Sequence, residues 1–143
     1  MSNDKKTYSL DQLDATSASK KAFEFEYRDP STGDGTGLFF SVLGSESEVV
    51  TAEVARLINE RRRKEAAREV NRKIGVGAKA TEHDLFESDI EFGQRLAAVR
   101  LVGWRGITEP FTSENAMRLC KSNRDIAKQI TDQSDTVGNF IKL

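Results

Sequence analysis

Four features of the sequence hold residue types able to do chemistry: one histidine, one cysteine, a glycine-rich segment and a run of arginines. His83 stands between Glu82 and Asp84, with Glu87 beyond, a spacing that matches neither HExxH nor any cysteine-containing zinc pattern. It reads as a solvated residue at a helix start. Cys120 would need a base to act as a nucleophile, and the only histidine belongs to another element. A small buried hydrophobe is the simpler reading. The segment GDGTG at 33–37 looks like a phosphate cradle, but no GK[ST] follows, and it leads into a strand-like run where a P-loop opens a helix. The acidic pattern that begins at Asp29 has Phe40 at its twelfth position, where a calcium loop needs a bidentate glutamate. Glu24 and Glu26 share one strand face, as glycosidase carboxylates can, yet alternation already explains them as the wet side of a half-buried strand. The expectation is a protein that is not an enzyme and uses no metal or cofactor.

The run Arg61-Arg62-Arg63-Lys64 lies within residues 56–73, which hold eight basic residues against three acidic ones. Clustered cations can neutralise phosphates, but no aromatics are interleaved here, and consecutive residues on a helix point in different directions. A solvated face or a surface for an acidic partner is favoured over nucleic acid. A formal net charge of -1 also excludes a globally basic nucleic-acid binder.

Positioning these residues takes a folded domain, and 143 residues with 37% hydrophobic and 31% charged side chains are enough for one. The single cysteine fits a reducing cytoplasm. The first residues lack an apolar h-region, and no run approaches the roughly 18 apolar residues of a membrane span. An intracellular protein without membrane contact is therefore expected.

Residues 1–19 are polar, with isolated Leu10 and Leu13, and read as a flexible arm. The rest, 20–143, reads as a single α+β domain, mostly α: a β-hairpin over 20–43, then a bundle of about four helices over 45–141, the first long and charged. Phe23, Phe25 and Tyr27 alternate with Glu24, Glu26 and Arg28 in the first strand, and the second is expected over 38–43. Ser45 with Glu48 suggests a capping box opening the charged helix, whose apolar stripe of Val50, Val54, Leu57 and Ile58 fades after Asn59. Gly75 stops it, and 78–81 reads as a linker. A second long helix over 81–101 carries Phe86, Ile90, Leu96 and Leu101 on a broad apolar stripe. Ser113 and Ser122 are the expected caps of two further helices. Trp104, Phe86, Ile90, Leu96, Leu101 and Phe111 form the expected core. Trp104 could instead anchor a partner, since tryptophan is enriched at binding hot spots.

With these landmarks in order, the chain resembles the tail assembly chaperones of long-tailed, siphophage-type bacteriophages. The resemblance covers about residues 23–140. It rests on Val42-Leu43-Gly44-Ser45-Glu46-Ser47 before an Arg/Lys-rich helix, on Val102-Gly103-Trp104-Arg105-Gly106-Ile107, on Pro110-Phe111-Thr112-Ser113-Glu114-Asn115-Ala116 with Leu119, and on a last helix with Ile126, Gln129 and Ile130 that closes at Asn139-Phe140. The resemblance implies a role without a catalytic centre: binding the tape measure protein and the major tail tube protein in the host cytoplasm, with the chaperone absent from the finished virion. The polar arm is a departure from the family pattern. Helix-in-groove docking is a standard way to cover the apolar seams of a long helical partner. The candidate contacts are then a hairpin face with Phe23, Phe25 and Phe39, the charged helix with Arg61, Arg62 and Arg63, and the C-terminal Phe140; self-association is a further possibility. Two other classes fit the same elements: a head-tail connector or tail-completion protein of the virion, and a small nucleic-acid-binding regulator using residues 56–73.

Overall fold

The alternating run of Phe23, Phe25 and Tyr27 forms strand β1 (Phe23–Arg28), with Phe25 and Tyr27 buried and the residues between them facing out. The computed structural model describes residues 5–75 and 82–143; the side chains of 82–84 and 86 also lie outside the described residues. That leaves out the expected linker at 78–81, the side chain of His83 and the core role expected of Phe86. Strand β2 (Gly35–Val42) runs antiparallel to β1, with Phe25 opposite Phe40 and Phe23 opposite Val42. It begins three residues before the expected start. The turn is tighter than the glycine content suggested, because Asp29 N–H donates to the Asp34 carbonyl at 2.8 Å and Gly33 N–H to the Asp29 carbonyl at 2.7 Å.

The helix expected to reach Leu101 ends earlier. After α2 (Glu48–Lys73), helix α3 covers Glu82–Ala98, and the chain then enters a third strand, β3 (Leu101–Arg105), antiparallel to β2. Leu101 and Trp104 sit at positions a helical repeat would also make apolar, so spacing alone did not separate the two readings. The sheet order is β1-β2-β3, and a bulge lies between Ser41 and Val42. Gly106 leaves β3 with φ of +93°, and a Cβ there would sit 2.7 Å from the Gly37 carbonyl oxygen, so glycine is required where the chain crosses the hairpin.

Two short helices follow, α4 (Ser113–Ser122) and α5 (Arg124–Asp135), then a single 3-10 turn, Val137–Asn139. The caps of three helices lie one or two residues from the expected ones. Ser47, Thr112 and Asn123 accept from the backbone N–H of Val50, Asn115 and Ile126, at 3.3, 3.0 and 3.0 Å. Each has the extended or near-extended backbone a cap requires, and that choice among neighbouring polar residues is made by the incoming chain. The polar arm also ends sooner than residue 19. Asp14 caps a one-turn helix, α1 (Ala15–Ala18), and Ser19 is buried, its carbonyl accepting from Gly44 N–H at 3.0 Å.

The architecture is α+β and mostly α, with α2, α3, α4 and α5 following the hairpin and α2 the longest. The core lies between the inner face of the sheet and α4, α5 and the end of α3. Phe40, Val42, Val50, Cys120 and Ile130 have no exposed surface. Of the expected core residues, Leu101 is buried, though on a strand. Trp104, Phe111, Ile90 and Leu96 are half-buried.

Candidate partner-binding surfaces

The three phenylalanines expected to share one hairpin face do not. Phe25 and Phe23 point inward; Phe25 is buried against Phe40, with ring centroids 5.8 Å apart, and Phe23 packs edge-on against Phe140 at 6.0 Å. Phe39 lies one residue from Phe40 and so faces the opposite side, opposite Glu26 and Arg105 in the neighbouring strands. There the Arg105 guanidinium covers its ring at 4.3 Å while pairing with Glu24 at 2.6 Å. The outer sheet face thus joins both edge strands across Phe39 through one arginine. In the sequence Arg105 stands only within the Val102-to-Ile107 motif, because the Phe39 and Glu24 that give it a role are distant in the chain.

The arginine run splits in the same way. Arg61 turns toward α3, pairs with Asp89 and lies 4.6 Å from the centre of the Phe92 ring. Arg62 and Arg63 are exposed, as are all residues from 62 to 75. Glu60, one position earlier, accepts both arms of the Arg95 guanidinium at 3.2 Å and Lys64 at 3.2 Å. Those bonds, Arg95's first, hold its carboxyl down at about 2. Position 60–61 is therefore where α2 is fastened to α3 among the described residues, and beyond it every residue of α2 is exposed.

The Trp104 segment closes on itself. The indole Nε1–H donates to the Glu109 carbonyl at 3.1 Å, the ring meets Phe111 edge-on at 5.1 Å, and Asn115 Nδ2 donates to the Pro110 carbonyl at 3.0 Å. Residues quoted for the resemblance thus form one unit from β3 to α4. No protein-family model, curated protein or solved structure matches the chain.

Beside this unit a groove of about 320 Å³ runs between α2, β3 and α4, lined by Val99, Leu101, Phe111, Ala116 and Met117, with Arg56 on its rim. A second, of about 380 Å³, lies between α3 and α5. The buried groups between them are chemically quiet. Burial pushes the Cys120 thiol up to about 11, so it is not a thiolate near neutrality. Tyr27 is raised by burial and by its 2.8 Å bond to Asp125. Among the described residues no three His, Cys, Asp or Glu side chains are gathered to hold a metal ion, and no helix is long and apolar enough to cross a membrane.

Proposed function

We propose that this protein is a tail assembly chaperone of a long-tailed bacteriophage, acting without catalysis in the host cytoplasm and leaving before the virion is complete. It holds the tape measure protein, and the major tail tube protein beside it, until the tail is built. The observation that carries this reading is the Trp104–Phe111–Asn115 unit: the residues behind the family resemblance are tied together by their own hydrogen bonds, and Phe111 opens onto a groove of mixed apolar and polar lining. Such a groove, rimmed by Arg56 and Glu53 at the root of a projecting charged helix, suits an amphipathic helix with apolar residues at i, i+3 and i+4.

The test is co-expression with the tape measure and tube proteins of the same phage, followed by pull-down. Retention of the tape measure protein, lost on Met117→Asp at the half-buried groove wall, is the expected result. If neither protein is retained by the wild type, the reading is wrong. Mass spectrometry of purified particles separates a chaperone from a permanent component, since a stoichiometric signal would mean the latter.

A further inference from the structure

The groove between α3 and α5 is a different surface, on the other side of α3 from the residues just discussed. Its walls are Ile90 and Leu96 from α3 and Ala127 from α5, and its lining is mostly apolar. Gly93 forms part of the floor in mid-helix, and a Cβ there would meet nothing within 4 Å. A mid-helix glycine weakens a helix by about 1 kcal/mol relative to alanine, so an open space at that position is not explained by packing within the chain.

The rim adds charge. Arg124 and Lys128 stand one helical turn apart on α5 and make no ion pair among the described residues, and Arg100 closes one end. The same groove also holds Asp132 and Asp89, the latter paired with Arg61. Arg100 is 8% exposed; one guanidinium nitrogen donates to the Leu96 carbonyl and another reaches Asp135 at 3.7 Å. Its Nε has no hydrogen-bond partner. A guanidinium with five donors, buried and this poorly satisfied, sits at the end of a slot whose lining is mostly apolar.

The same chain displays the complementary piece. Leu10 is 88% exposed and Leu13 48%, with Tyr8 at 41%, and Asp11 lies between the two leucines. The segment is already shaped: Ser9 N–H donates to Gln12 Oε1 at 2.8 Å, Gln12 N–H to Ser9 Oγ at 3.2 Å, and Leu13 N–H to the Leu10 carbonyl at 3.2 Å. A pre-formed turn that carries two leucines and a carboxylate into water has a lower ordering cost on binding.

We propose that the α3–α5 groove receives residues 8–13 of a second copy of this chain, so that two molecules exchange arms. Leu10 and Leu13 fill the slot over Gly93, and the Asp11 carboxylate meets Lys128 and Arg124. The arm is rooted by the Ser19–Gly44 bond beside Leu43, whose N–H donates to the Arg100 carbonyl, so the arm leaves each body close to the Arg100 end of the groove. In its own chain Leu10 stays in solvent. Exchange is reciprocal, giving a closed two-fold dimer with two identical contacts. Short inserts bury less than the roughly 1,600 Å² of a standard interface, so the dimer is weak and concentration-dependent.

This proposal does not depend on the chaperone reading, because it needs only the purified full chain. Sedimentation equilibrium at rising concentration is expected to show monomer passing to dimer. Leu10→Ser with Leu13→Ser, both at exposed positions that leave the fold intact, should weaken dimerisation at least tenfold, as should Lys128→Glu. Asp11→Lys combined with Lys128→Glu should recover dimer lost in the Lys128→Glu chain. A wild-type chain that stays monomeric throughout, as it would if the groove served its own arm or another protein, overturns the proposal. So does a dimer indifferent to the arm substitutions.

Discussion

At the scale of single residues, burial separates aromatic side chains that composition treats alike. Phe40 has no exposed surface and lies at the centre of the sheet's inner face, so Phe40→Ala should cost about 3 to 5 kcal/mol. Trp104, half-buried on an edge strand, keeps part of its surface in water, and Trp104→Ala should cost about 2 kcal/mol, less than full burial would demand. Urea denaturation of the two variants checks the order, and a reversed order would show that the sheet centre is placed wrongly. Cys120 supplies a second measurement. With its thiol held up at about 11 by burial, it should resist a thiol reagent at neutral pH in the native chain and react at once in denaturant. Fast labelling of the folded protein would contradict the burial.

Between elements, the joint of α2 with α3 carries the clearest electrostatic signature. Glu60 ionises near 2 when folded and near 4.5 as an ordinary glutamate, so its folded form is favoured at all pH values above about 4.5. That contribution is lost as pH falls from there toward 2. The stability gap between wild type and Glu60→Gln should therefore be open at pH 7 and close across that interval in urea titrations. Because Glu60 is in reach of water, the gap should also shrink with added salt. The helix starts offer a second check: Ser47 is fully buried while capping α2, and Ser47→Ala should cost about 1 kcal/mol.

For the whole molecule, the last helix is tied back to the joint between sheet and α2. Ser134 Oγ donates to the Leu43 carbonyl at 2.8 Å, and the Ser134 carbonyl accepts from Ser45 N–H at 3.0 Å. Strand β2, the start of α2 and the end of α5 should then open together, while residues 62–73, exposed on every side, open on their own. Native-state hydrogen exchange measures this: amides of Phe40, Val42 and Ile130 should exchange only with global unfolding, and those of 62–73 orders of magnitude sooner. Equal protection in both sets would mean that distal α2 is covered in solution, as by a second molecule.

The sequence by itself determined the local elements with the strongest periodic signal. Strand β1 followed from its alternation, the charged helix from its fading apolar stripe and from Gly75, and Cys120 from its lack of a chemical partner. Each depends on neighbours within one or two turns of chain. Only the tertiary structure decided what depends on distant partners. Leu101 reads as the end of a helix, and the strand from Leu101 to Arg105 is not legible until β2 is there to pair with it, because a strand this short, with a glycine in it, has too little periodicity of its own. Phe39 and Phe40 could not be sorted until register was set, since a one-residue shift exchanges the faces of a strand. Arg61 and Arg62 look identical in the chain, and it is the approach of Asp89 and Phe92 on another helix that makes one a fastener and leaves the other in water.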